Sequence, residues 1–153
     1  IGKFFEVEPS KAAAAIAAYE PNNMRSQLIQ KGSNQIILDA YNANPDSMKV
    51  ALENLTIQKN NRKVVILGDM KELGNDSDME HRKLGEQLAL MELDRILLCG
   101  ELIYPASEVL KDAIFFKTRE ALKAHLHQNP IQDSLILIKA SRSIGLEKVM
   151  EVL

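Results

Sequence analysis

The sequence predicts an α/β fold: a three-layer, Rossmann-like sheet that is mostly parallel, with an antiparallel hairpin at one edge and helices on both faces. Two observations lead to this prediction. Short, continuously apolar segments alternate with helical stretches, and they occupy residues 64–67, 96–99, 114–116 and 135–138. Continuous apolarity, rather than alternation of apolar and polar residues, is typical of parallel strands that are covered on both faces.

The antiparallel edge is predicted from two strand segments that precede this alternation, residues 26–30 and 35–39. The joint between them contains Gly32 and Asn34, two residue types that accept positive φ in a tight turn. We therefore expect a β-hairpin before the first strand–helix unit.

The predicted helices carry recognisable start signals. Asn44 is an expected N-cap with Pro45 at the first helical position, and Thr118 is an expected N-cap further along. Ser77 and Glu80 have the spacing of a capping box. The predicted helices cover residues 9–19, 45–55, 77–91, 101–111, 118–126 and 145–153.

The amino-terminal part of the chain is expected to belong to a different domain. The alanine-rich helix at 9–19 is followed by Pro21, which ends it. We assign residues 1–22 to the helical tail and linker of a preceding domain and residues 23–153 to a second domain. A helix this short is marginal alone, so we expect it to pack against a part outside this sequence. The start at Ile1 rather than Met also favours a piece of a longer protein.

The composition argues against several classes of partner. Nineteen Lys and Arg stand against 21 Asp and Glu, which leaves no general positive charge for nucleic acid or an anionic membrane. No apolar run approaches the ~20 residues of a membrane span. Cys99 is the single cysteine, so we expect a reducing cytoplasm and a buried thiol. His81, His125 and His127 lack metal-ligand spacing, and we predict no metal site in the chain.

Ligands of doubly wound sheets bind beyond the carboxyl ends of the strands. In the first loop at that edge, the Asp39 carboxylate can accept ribose hydroxyls, and the Tyr41 ring can stack on a purine. Asn42 and Asn44 can donate to and accept from the edges of a base. The same residue types are also common in a plain strand–helix turn, so both interpretations stay open on local chemistry.

Two further loops at the same edge are polar. Asp69 and Glu72 lie between two glycines, but the sequence contains neither a P-loop motif nor GxGxxG, so it has no recognisable triphosphate cradle. Lys139 and Arg142, with two serines, precede a predicted helix, which favours a carboxylate or phosphate ligand. A solvated loop remains an alternative for Asp69 and Glu72, and a plain joint between strand and helix for residues 139–143. A solvated linker charge is the alternative for Arg25.

Three strings of residues resemble the C-terminal domain of the Mur ligases of peptidoglycan synthesis. They are residues 39–48 (DAYNANPDSM), residues 67–74 (LGDMKELG) followed by His81, and residues 139–142 (KASR). Their order and spacing are most similar to the branch that joins D-alanyl-D-alanine to UDP-N-acetylmuramoyl tripeptide. The family has three domains, and this chain resembles the third, preceded by the helical tail of the central one.

The resemblance implies a domain of a bacterial, cytoplasmic, monomeric ligase that uses ATP and Mg²⁺, with the metal held mainly by the central domain. ATP phosphorylates the tripeptide carboxylate, and the amine of D-alanyl-D-alanine attacks the acyl phosphate. The chain alone is expected to be inactive. The residues implied at ATP are Arg25, Asp39, Tyr41, Asn42 and Asn44. Those implied at the substrates are Asp69, Glu72, Lys139, Ser141 and Arg142.

One residue departs from the family pattern. Ala140 stands where glycine is more usual, and its methyl group is expected to require negative φ and to shift the loop.

The alternatives are a sister Mur ligase or folylpolyglutamate synthase, which tend to place a histidine in the loop that here carries Tyr41. A standalone nucleotide-binding or regulatory module and an interaction domain without a ligand are further alternatives.

Overall fold

Six strands form one sheet in the computed structural model, which describes residues 3–19, 23–59 and 62–153. In chain order, β1 to β6 span Gln27–Lys31, Asn34–Asp39, Lys63–Gly68, Arg95–Cys99, Ala113–Phe116 and Leu135–Lys139. Their spatial order is β1-β2-β6-β3-β4-β5. Of the five pairings in the described part of the chain, β1 with β2 is antiparallel and the other four are parallel. The predicted mostly parallel sheet with a hairpin edge is therefore confirmed.

Helices cover both faces of this sheet. Within the described ranges, helices α1 to α5 span Pro9–Ala17, Pro45–Ile57, Ser77–Ala89, Tyr104–Ser107 and Arg119–Gln128. Helices α2, α3 and α4 bury side chains such as Leu52, Leu88 and Ala106 against one face. Helix α5 and a C-terminal 3₁₀ helix bury Leu126 and Val149 against the other. The predicted three layers are thus confirmed.

Two predicted N-caps and the hairpin turn have the expected chemistry. The Asn44 side chain accepts from the backbone N–H of Ser47 at 2.8 Å, and the Thr118 hydroxyl accepts from the N–H of Ala121 at 3.2 Å. Gly32 adopts φ +57° in the turn between β1 and β2. These local signals place the starts of α2 and α5 as the sequence predicts.

The capping box predicted at Ser77 is wrong. A 3₁₀ helix, Gly74–Asp76, leads directly into α3, so Asp76 occupies the cap position and makes no side-chain cap bond. The Ser77 carbonyl instead faces the imidazole of His81, with 2.8 Å between the oxygen and Nδ1.

The helix predicted over residues 101–111 is also wrong in length, because α4 has only four residues. The backbone N–H of Ile103 donates to the Asp69 carboxylate, and Pro105 in the first turn has no N–H to give. After Ser107 the chain turns towards β5. A long-range hydrogen bond thus sets the start of this short helix.

The C-terminal helix predicted over residues 145–153 is a 3₁₀ helix, Leu146–Val152. It follows Gly145, which adopts φ +67°, and its first bond runs from the N–H of Lys148 to the carbonyl of Gly145 at 3.2 Å. Bonds between residues three apart define the tighter 3₁₀ form.

Burial matches the prediction for most strands. Each residue of β6 is buried, and Cys99 in β4 is 1% exposed, as predicted. Burial raises the pKa of the Cys99 thiol to about 12. The edge strand β5 differs, because Ile114 is 39% exposed and the strand is covered incompletely.

Helix α1 has no buried residue, and Phe4, Phe5 and Ile16 near or within it are exposed. Its expected packing against another domain stays a prediction. The predicted break at Glu20, Pro21 and Asn22 lies outside the described residues, as do Ile1 and Gly2. No helix in the described ranges has the length and apolarity to cross a membrane.

We predict that Gly85→Ala destabilises the domain although alanine is the better helix former. A Cβ at Gly85 in α3 would lie 2.5 Å from the backbone oxygen of Ala106 in α4 and 2.4 Å from Val109 Cγ2. Overpacking of this kind costs about 1–3 kcal/mol of unfolding free energy. Urea unfolding measures it, with Glu86→Ala on the exposed side of α3 as the control. An unfolding free energy equal to that of the control variant would contradict the close packing of α3 on α4.

Candidate functional site

Three loops meet at the carboxyl ends of β2, β3 and β6, and we call residues 39–44, 68–74 and 139–143 the rim. Ser141 connects them. Its backbone N–H donates to the carbonyl of Asp69 at 2.9 Å, and its hydroxyl accepts from the N–H of Lys71 at 2.9 Å. The same hydroxyl donates to the carbonyl of Ala43 at 3.4 Å. The predicted convergence of these loops on one edge is confirmed.

The sheet register explains why the loops meet. Strand β6 lies between β2 and β3, and Lys139 pairs with Asp39 on one side and with Leu67 on the other. The three strands therefore end at the same level. Residues that follow β6 reach the loops on both sides.

Lys139 is almost completely enclosed, with a side chain that is 1% exposed. Its ammonium pairs with the Asp39 carboxylate at 2.5 Å and donates to the carbonyl of Asn42 at 2.9 Å. Burying a charge is costly unless it is paired and hydrogen-bonded, and both conditions hold here. Lys139 therefore points into the first loop of the rim in this structure.

Asp69 is enclosed as well, at 1% exposure. Its Oδ1 accepts from the N–H of Ile103 at 2.9 Å, and its Oδ2 lies 3.4 Å from the Lys71 ammonium. Gly100 passes so close that a Cβ there would lie 2.1 Å from Asp69 Oδ1, and its φ of +132° also favours glycine. Asp69 thus holds the loop that follows β4.

Two open pockets are lined in part by residues 39–44 of the rim. The α2 pocket has a volume of about 420 Å³ and is lined by Ser26, Asp39, Asn44, Asp46, Ser47, Val50, Ala51 and Asn54. The linker pocket has a volume of about 570 Å³ and is lined by Asn23, Met24, Tyr41, Asn42, Glu72 and Arg142.

The predicted site residues therefore separate into distinct groups. Asp39 and Asn44 line the α2 pocket, and Asn44 already uses its side-chain oxygen to cap α2. Tyr41 and Asn42, predicted at ATP, share the linker pocket with Glu72 and Arg142, predicted at the substrates. Asp69, Lys139 and Ser141 line neither pocket and lie beneath them at 1–4% exposure.

Residues 24–26, which directly precede β1, contact the rim at three points. The Arg25 guanidinium lies 4.1 Å from the centroid of the Tyr41 ring. The backbone N–H of Ser26 donates to Asp39 Oδ1 at 3.2 Å, and Arg142 lies 3.0 Å from the Met24 sulfur. Arg25 therefore covers one face of the ring on which a purine is predicted to stack.

Ala140 avoids positive φ, as expected, and its expected effect on the path of the loop stays a prediction. It is fully buried and is not among the described non-glycine residues with positive φ. The close contact involves Gly68 instead, where a Cβ would lie 2.8 Å from the Ala140 Cβ. An alanine therefore fits at 140 because its neighbour on β3 is a glycine.

His81 is a residue whose role the sequence reasoning missed. It is fully buried, its Nε2 accepts from the N–H of Met70 at 3.0 Å, and its Nδ1–H donates to the carbonyl of Ser77 at 2.8 Å. Burial lowers the pKa of His81, so the neutral ring is favoured. The available signal was its spacing with Leu84 and Leu88 on the buried side of α3.

The described residues provide no metal site, since no group of three or more His, Cys, Asp or Glu among them can hold an ion.

We predict that His81 makes the fold less stable in mild acid. Its pKa is lowered from 6.5, so the unfolded chain takes up a proton that the folded chain resists. The contribution of the neutral His81 ring to the free energy of unfolding is fully present above pH 6.5. It decreases as the pH falls below that value, by at most about 1.4 kcal/mol per pH unit. Melting curves between pH 5 and 8 measure this, and His81→Gln should flatten the dependence, whereas His127→Gln should not. An unchanged pH dependence in His81→Gln would contradict the assignment.

Comparison with known proteins gives consistent relatives. A family model described as Mur ligase, glutamate ligase domain, matches residues 24–142. The UDP-N-acetylmuramoyl-tripeptide–D-alanyl-D-alanine ligase of Bacillus subtilis is 33% identical over 98% of this chain and 35% of its own length. The chain thus spans about a third of the length of this relative.

Solved structures agree. MurF from Acinetobacter baumannii matches with a TM-score of 0.83 and 31% identity over 96% of this chain and 34% of its own. MurF from Thermotoga maritima in complex with ADP matches with a TM-score of 0.73 and 29% identity over 89% and 31% of the two chains. Folylpolyglutamate synthase from Thermotoga maritima, at 14% identity and a TM-score of 0.59 over 87% and 31%, shares the fold alone. The resemblance seen in the three sequence strings is confirmed, and the chain belongs to the Mur ligase family.

Proposed function

We propose that this chain is the C-terminal domain of an ATP-dependent ligase that joins D-alanyl-D-alanine to UDP-N-acetylmuramoyl tripeptide. The observation that carries the proposal is the 33% identity to the Bacillus subtilis ligase of that name along nearly the whole chain. The residues of the three motif strings also lie together on one rim, where a family site is expected. Folylpolyglutamate synthase is the weaker alternative, because it shares the fold at only 14% identity.

We infer that the nucleotide lies across the first loop of the rim. Asp39 keeps an exposed edge on the α2 pocket, with its side chain 15% exposed, and that edge can accept ribose hydroxyls. Tyr41, 45% exposed, offers its ring on the other side of the loop, with Asn42 beside it. A purine can stack on the face of this ring that Arg25 covers once the guanidinium leaves it, and the freed guanidinium can then pair with phosphate.

The linker pocket is the proposed place of the amide-forming groups. Arg142 can pair with the carboxylate of the dipeptide or with the acyl phosphate, and Glu72 can pair with an ammonium group. Both side chains are exposed, and they share this pocket with Tyr41. The nucleotide and the incoming amine would therefore meet where the pocket opens.

The rest of the active site would come from outside this chain. We propose that a preceding domain supplies the triphosphate cradle and Mg²⁺, and that rotation near residues 20–25 closes the two halves. Closure would exclude water from the acyl phosphate. We further propose that the parent is a monomer in the bacterial cytoplasm and that the 153 residues alone neither hydrolyse ATP nor form amides.

The parent ligase is predicted to release phosphate from ATP only when UDP-muramoyl tripeptide and D-alanyl-D-alanine are both present. A coupled phosphate-release assay, with mass spectrometry of the pentapeptide product, measures this. L-alanyl-L-alanine is the stereochemical control, and L-glutamate with a folate tests the alternative family member. Phosphate release that does not depend on D-alanyl-D-alanine would remove the assignment.

Asp39→Asn is predicted to raise the KM of the parent for ATP about tenfold, since a hydrogen bond to a charged group contributes about 1.5–3 kcal/mol. The asparagine keeps an oxygen that can accept from Lys139 but removes the counter-charge of the buried ammonium, so stability falls. Circular dichroism and a melting curve verify that the variant is folded at the assay temperature. Asp133→Asn, on the exposed loop before β6 at the opposite edge of the sheet, is the matched control. Equal KM values for the two variants would argue against a ribose contact by Asp39.

A further inference from the structure

We propose that Lys139 is a positioning residue for the nucleotide and makes no contact with the amide-forming substrates. The proposal rests on the function proposed above and deepens it. The sequence alone suggested the opposite, because a lysine directly after a buried strand is well placed to meet an anionic ligand.

The direction of the Lys139 side chain supports this role. Lys139 is the last residue of β6 and pairs in register with Asp39 of β2, so both side chains lie on the face that carries α2. The ammonium is buried, and neither pocket is lined by Lys139. Asn42 lines the linker pocket, and its backbone carbonyl accepts from this ammonium.

The Lys139 ammonium binds two groups of the first rim loop, in Asp39 and Asn42. One bond goes to Asp39 Oδ2 at 2.5 Å and another to the carbonyl of Asn42 at 2.9 Å. Lys139 therefore fixes the carboxylate that faces the α2 pocket and also the backbone next to Tyr41. Both proposed nucleotide contacts, ribose and base, depend on this one cation.

The Asp39 carboxylate can still accept hydrogen bonds from a ligand. Oδ2 takes the ammonium and Oδ1 takes the N–H of Ser26 at 3.2 Å, while each carboxylate oxygen can accept a second bond. The partly exposed edge lines the α2 pocket. The ion pair thus orients the carboxylate without blocking it.

Steady-state kinetics of the parent ligase test the proposal with Lys139→Met, Asp39→Asn and the double variant. Lys139→Met should raise the KM for ATP about tenfold, a change worth about 1.4 kcal/mol, and leave the KM for D-alanyl-D-alanine within about twofold. The double variant should raise the KM for ATP by less than the product of the two single effects, because part of the Lys139 effect runs through Asp39. Lys63→Met, at the other end of the sheet, is the matched control and should change neither KM.

A raised KM for the dipeptide with an unchanged KM for ATP would overturn the proposal, and so would additive effects of the two substitutions. If Lys139→Met does not fold, Lys139→Gln replaces it in the same cycle, since its amide can still donate to Asn42. Calorimetric titration with ADP needs no turnover, so it tests the positioning role of Lys139 separately from the proposed ligase activity. Weaker ADP binding by the Lys139 variant would support positioning even if the dipeptide assay fails, and unchanged ADP binding would refute it.

Discussion

The hydrogen bonds of Ser141 are the constraint on which the rim depends. Strand β6 is the last strand along the chain, yet it lies between β2 and β3 in the sheet. The residue two positions beyond its end can therefore bond to Asp69 and Lys71 on one side and to Ala43 on the other. Two of these three bonds involve the backbone of the neighbouring loop as acceptor, so they fix the loop path independently of its side chains.

The buried and the exposed polar residues of the rim have different roles. Asp69, Lys139 and Ser141 are buried and satisfied by partners within the chain, which is the condition for burying polar groups at little cost. Tyr41, Glu72 and Arg142 remain exposed. A binding surface needs both buried and exposed polar residues. Exposed groups can bind a ligand with a defined geometry only if buried residues fix the loops that carry them.

The sequence predicts the sheet well and the burial of its charged groups poorly. Continuous apolar runs identify β3, β4 and β6, since few other elements are covered on both faces. The enclosure of Lys139 depends on a carboxylate 100 residues away along the chain, which no local pattern reveals. The short α4 has the same kind of cause, because Asp69 takes the N–H of Ile103 across 34 residues. Which side of residues 39–44 each side chain faces likewise depends on the folded loop.

We propose that the rim binds a nucleotide across its first loop while Lys139 stays paired with Asp39. A crystal structure of the parent ligase with an ATP analogue tests this most directly. In that structure the ribose hydroxyls should lie at the Asp39 carboxylate and the base against Tyr41, with Arg25 displaced from the ring and the Lys139–Asp39 pair intact. A nucleotide that contacts other residues, or a Lys139 ammonium that has turned towards the dipeptide, would contradict it.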